Sequence, residues 1–84
     1  MSDDGQPSIV PFGEAALLVR LGERVDPLIN ERVHALAEMV GRERGRAGLS
    51  VGQPIPGYAS LLVPFDPLAT DADELTGWLQ VVLA

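Results

Sequence analysis

Three features of this 84-residue chain predict an α+β fold: two layers in the order ββαββα, with a four-stranded, mostly antiparallel sheet and two helices on one face. The first is a doubled motif. Gly13-Glu14-Ala15-Ala16-Leu17-Leu18-Val19 is echoed by Gly57-Tyr58-Ala59-Ser60-Leu61-Leu62-Val63, and Asp26-Pro27-Leu28 by Asp66-Pro67-Leu68. Each copy reads as a glycine-bounded turn, an apolar strand and a helix entrance. The second is the apolar stripe at helical spacing that follows each copy. The third is length, since a chain this short can bury one modest core and no more.

Residues 1–7 are acidic and polar, offer nothing to bury and read as a flexible tail, which leaves residues 8–84 as a single domain. Ser8 to Pro11 is expected as the first strand. Phe12-Gly13-Glu14 then turns the chain into Ala15 to Leu21, a strand ended by Gly22. Asp26 suits an N-cap and Pro27 the first helical position, and Ile29, Val33, Leu36, Ala37 and Val40 repeat at helical spacing. Gly41 is the expected stop, and the polar stretch Arg42 to Gly48 is the expected connection. Leu49 to Ile55 reads as a third strand, interrupted by Gly52 and bounded by Pro54 and Pro56. Pro56-Gly57 marks a turn into a fourth strand, Ala59 to Phe65. Its Pro64 has no N–H to give, which suits a strand edge, a strand end or a bulge. A second helix should begin near Thr70 or Asp71, with Asp73 and Glu74 in its first turn and Leu75, Trp78, Leu79, Val82 and Leu83 as its buried stripe. No stop signal stands near Ala84, as expected of a truncation point or of a helix end that meets a following domain.

Side chains alternate across a strand, so Ala15, Leu17, Val19 and Leu21 share a face, as do Ala59, Leu61, Val63 and Phe65. These eight are the expected helix-covered face. The opposite face then carries Ala16, Leu18 and Arg20 from one copy and Ser60, Leu62 and Pro64 from the other, more apolar than a solvated sheet face usually is. Leu18 and Leu62 are ordinary surface leucines on one reading. On the other they seed a patch that docks a second domain or subunit, with Arg20 and the turn residue Tyr58 as further candidate contacts.

Composition narrows the function classes. Of the 84 residues 46% are hydrophobic and 21% charged, as in folded soluble proteins. A net charge of −6 repels phosphate backbones and anionic membranes, and four aromatic residues give no stacking platform, so nucleic acid is not an expected partner. The absence of cysteine removes disulfides, thiolate metal sites and cysteine nucleophiles. The start lacks the basic and apolar regions of a secretory signal, and no apolar run reaches membrane-spanning length, so a cytoplasmic, membrane-free protein is expected.

No constellation of catalytic residues emerges. His34 is the lone histidine and reads as a helix-surface residue rather than a metal ligand or proton carrier. The serines lie outside any nucleophile-elbow context. Gly41, Gly45, Gly48 and Gly52 lack the lysine and hydroxyl of a phosphate loop. Arg42, Arg44 and Arg46 read as a solvated connection diluted by Glu43. No catalytic, cofactor-binding or metal-binding residue is assigned.

The segments Pro11-Phe12-Gly13-Glu14-Ala15-Ala16-Leu17-Leu18-Val19, Asn30-Glu31-Arg32-Val33-His34-Ala35-Leu36 and Pro56-Gly57-Tyr58-Ala59-Ser60-Leu61-Leu62-Val63-Pro64-Phe65-Asp66-Pro67 together resemble the N-terminal region of the allophanate hydrolase subunit 1 family. This group is also described as the carboxyltransferase C/D domain, as one of the subunits of 5-oxoprolinase and as the Kip inhibitor of a sporulation histidine kinase. The resemblance runs from about Ile9 to Leu83. Glu14 stands where the family usually has aspartate, a change the turn should tolerate. Family members continue into a cyclophilin-like C-terminal domain, absent from this sequence, that holds their conserved residues, so no catalytic position carries over. The resemblance implies a non-catalytic module that supports that domain and helps assemble with a second carboxyltransferase-type subunit. The assembly would use ATP to hydrolyse an amide such as 5-oxoproline. It leaves two alternatives: a regulatory module that inhibits a sensor histidine kinase, and a stand-alone small interaction protein.

Overall fold

The computed structural model describes residues 7–22, 26–46 and 48–83. Apart from Pro7, the tail expected over residues 1–7 lies outside the described residues, as does Ala84. The elements run β1 (Ser8–Pro11), β2 (Ala16–Arg20), α1 (Pro27–Glu43), β3 (Ile55–Pro56), β4 (Ser60–Pro64) and α2 (Ala72–Leu83). The four strands form one sheet in the order β1-β2-β4-β3, with every neighbouring pair antiparallel. The predicted α+β, two-layer fold is therefore present.

Each copy of the doubled motif is the turn and second strand of a hairpin. Gly13 takes a φ of +73°, a conformation glycine adopts without steric cost, and the Phe12 N–H donates to the Ala16 carbonyl at 3.0 Å. In the second hairpin the Gly57 N–H donates to the Ser60 carbonyl at 2.8 Å. The two echo strands, β2 and β4, then lie side by side at the centre of the sheet. Their register runs from Ala16 opposite Pro64 to Arg20 opposite Ser60, so Leu18 faces Leu62, its own counterpart in the repeat. A local two-fold relation passes between these two leucines.

Leu17, Val19, Leu21, Leu61, Val63 and Phe65 are buried on the helix-covered face, as alternation requires. Ala15 and Ala59, assigned to that face as well, lie in the hairpin turns; Ala15 is exposed and Ala59 half-buried. The core is completed by Val33, Leu36 and Val40 of α1, Leu75 and Leu79 of α2, and Val51. Trp78, Val82 and Leu83 flank this core half-buried instead of entering it.

Both Asp-Pro-Leu segments make the same local turn, with different continuations. Asp26 Oδ1 accepts from the Leu28 N–H at 2.9 Å and opens α1; Asp66 Oδ1 accepts from the Leu68 N–H at 3.0 Å and closes a single turn. The entrance to α2 comes five residues later. There the Asp71 N–H donates to Glu74 Oε1 at 3.3 Å and the Asp71 carbonyl accepts from the Leu75 N–H, half of a capping box.

Two other expectations are corrected. Gly41 does not stop α1, which runs on to Glu43 with Arg44 as its C-cap. An internal glycine costs up to about 1 kcal/mol relative to alanine, and the anchors on either side of Gly41 offset it. Val40 is buried, and Arg44 donates from Nη1 to the Val51 carbonyl at 2.8 Å and from Nη2 to Gln53 Oε1 at 3.2 Å. The third strand does not span Leu49 to Ile55. Only Ile55 and Pro56 pair with β4, and Val51 makes an isolated bridge to Phe65. The cause is local: Val51 lies opposite Phe65 and the Gly52 N–H bonds the Pro64 carbonyl at 2.8 Å, a register one residue out of step with Ile55 opposite Leu62, so the ladder breaks between them. Pro64 itself ends β4, with its missing donor on the side where β3 has already stopped.

Candidate functional site

The face of the sheet away from the helices is apolar through its middle. Leu18 and Leu62 sit opposite each other on the central strands, Val10 pairs with Leu18 from β1, and Ile55 pairs with Leu62 from β3. Directly paired residues project to the same side of a sheet, so Val10, Leu18, Leu62 and Ile55 form one unbroken row across all four strands. Bonds between the Phe65 N–H and the Ala15 carbonyl, and the Leu21 N–H and the Ala59 carbonyl, place the hydrogen-bonded pairs of β2 and β4 at odd positions of β2. Leu18 and Leu62 are thus a non-hydrogen-bonded pair, the kind whose side chains approach more closely. Both are half-buried, while Val10 at 37% and Ile55 at 55% are more open.

The flanking rows differ in character. On one side Ala16 faces Pro64, with exposed Phe12 beyond Ala16. On the other, Ser8, Arg20 and Ser60 form a polar row. An apolar centre bordered on one side by a polar row suits a protein contact surface. Of the four residues singled out from sequence, the structure brings Leu18 and Leu62 into contact register and sets Arg20 on the same face in the adjoining row. Tyr58 lies beyond the Ser60 end of β4, 48% exposed, in a turn held to α1 by the Asn30 Nδ2 group, which donates to the Tyr58 carbonyl at 3.0 Å. Val10 and Ile55 were missed. Alternation within β1 could have placed Val10 on this face, but two residues of β3 carry no periodicity from which Ile55 could be read.

Elsewhere the structure disperses groups that are close in sequence. Arg42 lies in the last turn of α1, Arg44 is bound to the Val51 and Gln53 oxygens, and Arg46 pairs with Glu43 at 3.6 Å, so the three arginines form no common anion site. His34 is exposed on α1. Among the described residues, no group of three or more histidine, aspartate or glutamate side chains is arranged to hold a metal ion. Among the described residues Thr70 is the buried polar side chain, and its Oγ1 accepts from the Ser50 N–H at 2.7 Å, a structural role in fixing the connection before α2. A groove of about 240 Å³ runs between the helices, with Arg32 and Met39 on one side and Val82 and Leu83 on the other; it contains no cluster of reactive groups. No helix among the described residues is long and apolar enough to cross a membrane.

Comparison with solved structures finds the same fold in a conserved uncharacterized protein, PH0987, from Pyrococcus horikoshii, with a TM-score of 0.76 and 32% sequence identity over 89% of this chain. The match spans 33% of that protein's chain. No curated protein matches the sequence. The family model described as the carboxyltransferase domain, subdomain C and D, matches residues 7–84, which takes in both hairpins, both helices and every residue of the apolar row. The chain belongs to the carboxyltransferase subdomain C and D family.

Proposed function

We propose that this chain is an assembly module in a subunit of an ATP-dependent amide-hydrolysing complex of the 5-oxoprolinase or allophanate hydrolase subunit 1 kind, and that its open sheet face meets the second carboxyltransferase-type subunit. The observation that carries the reading is the Leu18–Leu62 pair at the centre of a four-strand apolar row, on the side of the sheet that the helices leave uncovered. Family membership supports the setting. It accords with a relative in which this fold accounts for a third of the chain.

The energetic case is moderate. Full burial of a leucine stabilises by roughly 1.5–3 kcal/mol, and because Leu18 and Leu62 are already half-buried, docking adds about 1 kcal/mol or less for each. Val10, Ile55 and Phe12 add the more exposed apolar area. Arg20, in the polar row, suits orientation of a partner more than affinity.

The test uses the full-length protein with its second subunit. Leu18→Asp combined with Leu62→Asp should abolish co-elution of the subunits and 5-oxoproline-dependent ATP hydrolysis, while the far-UV circular dichroism spectrum stays that of the parent. Retained complex and activity would remove this face from the assembly. Loss of activity with the complex intact would assign the face to contacts within the subunit.

A further inference from the structure

We propose that prolines close both edges of this sheet to strand addition, so that no chain extends it by backbone pairing. The argument comes from which backbone groups point outward. In β1 the Phe12 N–H bonds the Ala16 carbonyl, and in an antiparallel ladder the bonded positions alternate. Ser8, Val10 and Phe12 therefore turn their amides toward β2, and Ile9 and Pro11 turn theirs outward. Pro11 has no N–H, and neither has Pro7 just before the strand. Ile9 is left with the one outward amide between residues 7 and 11.

The other edge is closed more fully. The Gly57 N–H bonds the Ser60 carbonyl, so the next bonded pair is Ile55 with Leu62, and Pro56, opposite Leu61, is the residue that faces outward. Pro54 precedes it. From residue 54 to residue 56 no N–H is directed away from the sheet. An incoming strand needs a donor and an acceptor at every second residue, so at this edge its carbonyls would be desolvated without partners, which disfavours the pairing. The same prolines cost the sheet nothing, since each lacks its donor on the side where no ladder bond is made. The protection falls where it is needed, because the edge strands carry the two exposed ends of the apolar row, Val10 and Ile55, and an apolar edge is a template for aggregation.

This inference does not depend on the partner proposed above. Its test takes the 84-residue chain with Pro11→Val and Pro56→Val, singly and together, and reads association by sedimentation velocity over a concentration series and strand pairing by amide hydrogen exchange. Each restored outward amide adds one hydrogen bond per contact, so the association constant should rise about tenfold per edge, with protection appearing at amides 11 and 56. In the parent chain the Ile9 amide should exchange at the same rate at every concentration. Variants that keep the parent circular dichroism spectrum and show no added association would overturn the proposal. So would an Ile9 amide in the parent chain that gains protection as concentration rises, a measurement that holds even if a variant does not fold.

Discussion

Alanine in place of Leu61 and, separately, of Leu62 removes the same atoms from adjacent residues of β4 that project to opposite faces. Leu61 has no exposed surface and belongs to the cluster that includes Val19, Val33, Val63, Leu75 and Leu79. Truncation of a buried leucine costs about 2–5 kcal/mol, and the middle of that range applies where neighbours on both layers hold the cavity open. We expect about 3–4 kcal/mol for Leu61→Ala. A domain of this length has a total stability of about 4–13 kcal/mol, so the change consumes much of it. Leu62 is half-buried and leaves no enclosed cavity, so Leu62→Ala should cost about 0.5–1 kcal/mol. Urea unfolding followed by circular dichroism reads both. With a slope near 1–1.5 kcal/mol per molar for a small domain, Leu61→Ala should lower the midpoint by about 2–4 M and Leu62→Ala by less than about 1 M, at unchanged slope. Equal midpoint shifts would refute the two-layer reasoning, because they would mean that both faces of β4 are enclosed.

Three further outcomes test other parts of the structure. Gly13→Ala should destabilise by about 1–2 kcal/mol in thermal unfolding through its φ of +73°, since a Cβ there meets nothing within 4 Å and steric contact adds no cost. Arg44→Met should cost about 1–2 kcal/mol in urea by releasing the Val51 carbonyl and Gln53, and Arg44→Lys should not restore it, because one ammonium does not reproduce the two-pronged geometry. Thr70→Val keeps the side-chain shape but leaves the Ser50 N–H without its acceptor; a loss of about 1–3 kcal/mol and faster exchange of that amide are expected.

Most of the local structure is legible in the sequence alone. Residue types place β1 at Ser8 to Pro11 and identify the Asp26 cap and Pro27 start of α1, and alternation assigns the buried residues of β2 and β4. Each depends on interactions within a few residues, where side-chain chemistry and strand or helix period suffice. The errors fall where tertiary contacts outweigh local preference. Gly41 reads as a stop from its low helix propensity, but the burial of Val40 and the two hydrogen bonds of Arg44 carry the helix past it. A third strand is expected from apolar content over Leu49 to Ile55, but the Gly52–Pro64 bond sets a register one residue out of step with Ile55 opposite Leu62 and leaves two paired residues. The candidate site is half legible: Leu18 and Leu62 follow from alternation, whereas Val10 and Ile55 required the pairing.

The sequence by itself determined the class of fold, the two hairpin turns, the inward faces of the central strands and the doubled plan of the module, all consequences of periodicity and backbone preference. Only the tertiary structure decided that the two copies meet with Leu18 against Leu62, that four apolar residues line up across the sheet, and that the prolines at 11 and 56 face away from it. The reason is that strand register is a relation between distant segments. A shift of one residue would carry every side chain of a strand to the other face and turn each proline's missing donor into the ladder, and what holds the pairing against that shift is the joint burial of Leu17, Val19, Leu61 and Val63 beneath the helices.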